Sequence, residues 1–308
     1  MSRRFARVRR TRTHSVFRRF CVELFGRDGL VDGVVDVAGG QGHLAFELCN
    51  ADGVDTLVVD PREMRLDKLA KHWDASRRRR CRKEGLNEAA LMPLNVPDHC
   101  QAFFEPSLWM EEGSSGNETT KRTWSEAYEP DRSVRATERR RSKEHGGACW
   151  KCGPRGRGGE AQAPRAVDVH ANGFDGWLQH KAFQCPHERS MRASDRSLRP
   201  TSVDVSDART RIRGCSALLG FHPDQATDDI VRCALMLHKP FCVVPCCVFP
   251  QHFPHRRLED GTSVRTTEQH VTYLLQWGRR QGACFHVHTL DFPGRNQAVY
   301  WIPPAPVT

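Results

Sequence analysis

Residues 34–48, VVDVAGGQGHLAFEL, decide how the rest of the chain is read. A short apolar run carrying one acid, Asp36, stops at Gly39, Gly40 and Gly42 and gives way to good helix formers. This order predicts a buried strand, a tight turn and a helix N-terminus. A turn without Cβ atoms lets a ligand approach the backbone, and the first N–H groups of the helix are free to meet it. A second apolar run, DTLVVDPR, ends on Asp60, 24 residues after Asp36. A carboxylate there can accept both hydroxyl hydrogens of a ribose.

Working outward, the same alternation recurs. HCQAFFEP reads as a weaker third strand closing near Glu105, CSALLGFHP as a fourth, and PFCVVPCC as a fifth. QATDDIVRCALML is helical, with Ile230, Ala234 and Leu237 on one face. TTEQHVTYLLQWG is a second such helix, with Thr266 or Thr267 as its cap and Gly278 as its stop. ACFHVHTLDF and QAVYWI flank the turn residues 293–296 and predict an antiparallel hairpin. The fold expected is α/β: a doubly wound, Rossmann-like, mostly parallel sheet with a C-terminal antiparallel hairpin at its edge. A long, mostly disordered insertion is expected to interrupt it. The predicted organisation is a basic N-terminal helix or arm at residues 1–32, a cofactor half at 33–112, a low-complexity insertion at 113–209 and a substrate half at 210–308. In the first segment Val16, Phe17, Phe20, Cys21, Leu24 and Phe25 share a helical face and Gly26 is a plausible C-cap, so a helix packed on the fold is favoured over a targeting segment.

Two cofactor classes fit the glycine turn. Gly40, Gly42 and Ala45 satisfy the dinucleotide fingerprint, which keeps a nicotinamide oxidoreductase open. Asp36 argues the other way, since a carboxylate beside the turn repels a pyrophosphate and suits the sulfonium and ammonium charges of S-adenosylmethionine. The run Asp36-Val37-Ala38-Gly39-Gly40-Gln41-Gly42 resembles motif I of the class I S-adenosylmethionine-dependent methyltransferases, with Ala38 in place of the usual first glycine. VVDP resembles motif II of that family, whose terminal acid, here Asp60, holds the ribose. LLGFHPDQATDDIV and VVPCC resemble the later strands of methyltransferase-domain proteins with a Gly-x-His segment after the fourth strand and a Cys-Cys pair after the fifth. The resemblance implies S-adenosyl-L-methionine as cofactor, held by Asp36, Ala38, Gly39, Gly40, Gly42 and Asp60. Some members of that broad group modify tRNA. The Asn-Pro-Pro-Tyr type motif of base amino-group methylation is missing, so the acceptor atom stays open.

In open α/β sheets ligands sit beyond the carboxyl ends of the strands. That rule brings FHPDQ and PCCVFP to the glycine turn. His222 is then a candidate general base, with Asp224 to orient it or the substrate. Successive side chains of a strand face opposite ways, so Cys246 and Cys247 are expected to divide between core and pocket, with Cys247 on the pocket side and no metal between them. The loop carrying Phe249, His252 and Phe253, held by Pro250 and Pro254, is a candidate cover. A second thiol set, Cys149 and Cys152 with Cys185 and His187, has one correct Cys-x-x-Cys spacing but no matching second pair.

Composition narrows the class. The formal charge is +10, with eight arginines in the first 19 residues and RRRRCRK at residues 77–83. Such patches suit a polyanion, with RNA the first acceptor expected, and equally a solvated surface or an Arg-rich targeting segment. Thirteen cysteines, an odd number, point to reduced thiols and hence a cytoplasmic location, with a mitochondrial one as the alternative for the Arg-rich start. Only 38% of residues are hydrophobic and the mean hydropathy is −0.61, so part of the length is expected to lie outside a packed core and no membrane contact is expected.

Overall fold

The computed structural model describes residues 3–110 and 199–304, with side chains of the first helix from Thr13 onward. Its centre is a seven-stranded mixed sheet of order β3-β2-β1-β4-β5-β7-β6. The strands are β1 (Val34–Val37), β2 (Thr56–Val59), β3 (Asp98–Cys100), β4 (Ala217–Phe221), β5 (Phe241–Val244), β6 (His286–Thr289) and β7 (Gln297–Trp301). Strands β1 to β5 run parallel; β7 is antiparallel to both β5 and β6. The hairpin expected from the sequence is therefore present, but its second strand inserts beside β5 and leaves β6 as the edge. Burial explains this choice. Ala298, Val299 and Trp301 of β7 are buried, whereas β6 alternates His and Thr with Val287 and is largely exposed.

Strands β1, β2, β4 and β5 are buried at every position, as expected of parallel strands covered on both faces. On one face α1 (Arg3–Phe25), α2 (His43–Glu47) and α3 (Asp67–Glu84) set Phe17, Cys21, Leu44, Phe46 and Leu69 against Val34, Val58 and Leu219. On the other, α4 (Pro106–Trp109), α5 (Val205–Gly214), α6 (Thr227–Leu237) and α7 (Thr267–Arg280) set Trp109, Ile212, Ile230 and Leu274 against Val35, Leu57 and Val243. Gly26 closes α1 in the left-handed region (φ +72°), its N–H donating to Val22 O at 3.0 Å.

Three boundaries differ from the sequence expectation, each for a local reason. The second half begins before residue 210. Asp204 caps α5 by accepting the Asp207 N–H, and Ser202 pairs with His99 of β3. Helix α7 starts at the Thr266 capping box but runs two residues past Gly278. That glycine is there for packing: a Cβ on it would lie 2.7 Å from the Phe285 ring. Strand β5 stops at Val244, because Pro245 has no N–H to give to the ladder. The cysteine pair therefore lies in the loop beyond the strand. The insertion expected at residues 113–209 lies outside the described residues up to 198, as do Cys149, Cys152, Cys185 and His187. Among the described residues no helix is long and apolar enough to cross a membrane.

Candidate functional site

The order of strands reverses between β1 and β4, so the loops leaving β1, β2, β4 and β5 gather at one end of the sheet. That end concentrates backbone strain. Five described residues other than glycine have positive φ, and four of them lie in these loops: Ala38 (+54°), His222 (+58°), Asp224 (+51°) and Phe249 (+46°). A left-handed L-residue costs on the order of 1–3 kcal/mol, and such positions gather where geometry serves a ligand or a reaction. Ala38 thus holds a conformation that glycine adopts freely, at a cost.

The turn is built around two close approaches. A Cβ on Gly39 would sit 2.6 Å from Asp36 Oδ2, and one on Gly42 would sit 2.2 Å from Met64 Sδ. Asp36 therefore lies directly beneath the turn, fully buried, with neither carboxylate oxygen in a well-formed hydrogen bond and only weak support from the Ala45 backbone. Burial, and then repulsion from Asp60, push its pKa up to about 8, the Ala45 backbone offsetting only part of this. Asp60 is also buried, but well served. Its Oδ2 accepts from Gly40 N at 2.8 Å, and its Oδ1 accepts from Arg62 N at 2.8 Å. The Arg62 guanidinium then forks onto both oxygens at 2.9 and 2.8 Å. Arg62 is a residue the sequence reading passed over; its place two positions after Asp60 was the available signal. It is two-thirds exposed and is held charged by Asp60 and, more weakly, by Asp224.

Across from the turn lie His222, Asp224, Cys246 and Cys247. His222 stacks on Phe221 with ring centroids 4.3 Å apart. Its Nε2 donates to the Arg295 carbonyl at 3.0 Å. A carbonyl can only accept, so Nδ1 keeps the lone pair, and burial lowers the pKa of the ring. Neutral His222 can therefore take a proton through Nδ1. Its bonded partner is the Arg295 carbonyl; Asp224, which the sequence offered to orient His222 or the substrate, is bonded elsewhere. Asp224 instead accepts the Cys246 S–H, Sγ to Oδ1 being 3.1 Å. Cys246 is buried and Cys247 half-buried, the inequality the sequence reading expected. The alternation argument behind it fails, because both residues lie beyond Val244. The two thiols share one place, and with an Asp224 oxygen they form a group within 4.8 Å. Arg295 Nη1 reaches Cys247 Sγ at 3.8 Å.

The following loop is fixed by a buried ion pair that the sequence hid. Arg256, fully buried, donates from Nε to Asp228 Oδ2 and from Nη1 to Val248 O, each at 2.8 Å, and lies 3.7 Å over the Phe253 ring. His270 Nε2 adds a bond to Asp228 Oδ1 at 3.4 Å. Burial alone would raise the Asp228 pKa, but the Arg256 charge and these bonds outweigh it and hold the carboxyl well below the usual range. In sequence, Arg256 looks like one more member of a basic run.

The arginines of α3 are largely engaged within their own surroundings. Arg77 and Arg78 pair with Asp74, Arg80 with Glu84, and Arg82 with Glu88. Two shallow hollows among the described residues lie away from the glycine turn: about 40 Å³ between Asp32, Val35, Arg211 and Cys215, and about 180 Å³ between Trp73, Ser76, Arg77 and Arg80. Neither touches the acids or thiols described above. Comparison of the chain with protein-family models, with curated proteins and with solved structures gave no match.

Proposed function

We propose that the chain is a class I S-adenosylmethionine-dependent methyltransferase with a Rossmann-like sheet and an RNA acceptor. One observation carries the reading: the glycine turn rests on a buried carboxylate, Asp36, and is tied through the Gly40 N–H to a second, Asp60, beside the point where the strand order reverses. The residues fit the cofactor. Asp60 would offer two oxygens to a diol once Arg62 swings aside, Gly39 and Gly42 leave the backbone open to close approach, and the buried Asp36, protonated at rest, can ionise beneath a cationic ligand. Bound there, the cofactor supplies an electrophilic methyl group. The chain's own part is to position the acceptor and remove its proton, the latter at His222 Nδ1. The RNA assignment rests on the basic N-terminal cluster, since α3 neutralises most of its own charge.

Calorimetry tests the cofactor. S-adenosylmethionine or its demethylated product should bind and NAD should not. Asp60→Ala should weaken binding by about 1.5–3 kcal/mol, the scale of hydrogen bonds to a charged group. Tight NAD binding without a response to S-adenosylmethionine would refute the reading. A second reading, a methyltransferase-like protein that binds without chemistry, is favoured by the Arg62 fork, which holds both Asp60 oxygens that a ribose would take. Arg62→Ala separates the two. Turnover on RNA that rises or persists supports the enzyme, whereas binding without turnover in both forms supports the alternative.

A further inference from the structure

The segments beyond β4 and β5 bring together a set of side chains that methyl transfer leaves without a task. Asp224, Cys246 and Cys247 present one carboxylate oxygen and two sulfurs within 4.8 Å of one another. Around a tetrahedral zinc ion with bonds of about 2.3 Å, two thiolates lie about 3.8 Å apart, so side-chain rotation alone brings this set to ligand distances. We propose that Asp224, Cys246 and Cys247 form a three-ligand zinc site whose fourth position faces the acceptor side of the sheet.

Three features of the surroundings fit this assignment. The ligand-bearing segments are clamped together before any ion arrives. Asp228, one helical turn after Asp224, holds Arg256, which in turn holds the carbonyl of Val248, the residue after Cys247. The backbone is strained on both sides, at Asp224 and at Phe249, in the left-handed region that L-residues avoid. The charge also balances. Two thiolates, one carboxylate and a divalent ion sum to −1, and the Arg295 guanidinium on Cys247 Sγ supplies the compensating +1. Thiolate sulfur with carboxylate oxygen favours zinc over the harder calcium and magnesium ions. Three protein ligands leave a position for water or an acceptor atom, as in sites that do chemistry. Binding releases the two thiol protons to solvent; nothing is oxidised. An ordinary thiol is mostly protonated at neutral pH, so the protons are present to be released.

The test uses the full chain carrying Cys149→Ser, Cys152→Ser and Cys185→Ser, which removes the other thiol set. Zinc is titrated in competition with a chromophoric chelator, and cobalt(II) is used as a spectroscopic substitute. One zinc per chain is expected, with thiolate-to-cobalt charge-transfer absorption and release of about two protons. Loss of an outer partner costs metal sites about 10- to 100-fold in affinity, so Arg295→Met should fall in that range and Cys247→Ser beyond it. Cys284→Ser, at an exposed thiol elsewhere, should change nothing. Failure to compete with the chelator, or zinc affinity indifferent to Cys247→Ser, overturns the site. Should Cys247→Ser fail to fold by circular dichroism, the cobalt spectrum of the parent decides, and absence of thiolate charge transfer is then fatal. No S-adenosylmethionine is present in these measurements, so failure of the zinc site and failure of the cofactor reading are told apart.

Discussion

Replacing Asp36 by Asn should make the protein more stable near neutral pH, a consequence of where the carboxyl sits. In the folded chain its pKa is raised to about 8, first by burial and then by Asp60, and neither oxygen is in a well-formed hydrogen bond. In the unfolded chain it returns to about 3.9. A raised folded pKa means that the native state holds a proton the unfolded state has lost. Stability is then full below about pH 4 and declines as pH rises toward 8, by about 1.4 kcal/mol per unit. At pH 7 the accumulated loss is about 4 kcal/mol. Asn imitates the protonated acid in shape and charge and shares its lack of partners, so the desolvation of the amide largely cancels in the comparison. The stability of Asp36→Asn should therefore match that of wild type near pH 4 and exceed it progressively above, other titrations cancelling between the two proteins. Urea unfolding at half-unit steps between about pH 4.5 and 7.5 measures this directly. Parallel stability profiles would refute the raised pKa. The variant should also lose affinity for cationic ligands while keeping its fold, because Asn cannot ionise beneath the turn when a cation binds.

Asp228→Asn should act in the opposite sense. It leaves Arg256 buried without its carboxylate and should cost about 3–5 kcal/mol at neutral pH. Because the folded pKa is depressed, this contribution is present above about pH 4 and fades as pH falls below it; a neutral-pH loss under about 1 kcal/mol in denaturant melts would contradict the clamp. Residues 113–198 should be replaceable by a flexible linker of about 20 residues without loss of cooperative unfolding, since each doubling of loop length costs only about 0.6 kcal/mol. The flanking segments are already joined by Arg209, which donates to the Ser107 and Leu108 carbonyls. A molten, non-cooperative transition in the shortened chain would show that the segment is part of the core.

What could be read from the sequence was what is local. The turn after β1 announces itself through glycines that must admit Asp36 and Met64, and α7 through a capping box lying wholly within its first turn. Helix α3 escaped because it carries almost no apolar stripe: of its 18 residues only Leu69, Ala70 and Cys81 are buried, and pairs such as Arg78–Asp74 and Arg80–Glu84 support the rest. Helix α5 was hidden by its polar neighbours, although Asp204 with Ala208 and Ile212 was a legible cap and face. The end of β5 was written in Pro245 and was overlooked, which misplaced both thiols. The Arg256–Asp228 pair joins positions 28 apart with no periodicity linking them, so only the packed structure could show it.

The misplaced thiols and three of the strained residues lie in neighbouring loops. A strand that continued through Cys246 and Cys247 would send them to opposite faces; Pro245 ends it first, and left-handed residues follow, His222 and Asp224 after β4 and Phe249 two residues past Cys247. At residues 222, 224 and 249 local rules ask for glycine, which would relieve the backbone by about 1 kcal/mol or more apiece. Glycine would also delete the side chain. His222 would lose its bond to the Arg295 carbonyl, Asp224 its contact with Cys246, and Phe249 its edge contact with His252. The chain keeps the side chains and bears the strain, at one end of the sheet and around one cluster of proton-bearing groups. Departures from local rules are expected where a protein has a functional site, and their gathering in the loops beyond β1, β4 and β5 agrees with the one proposed.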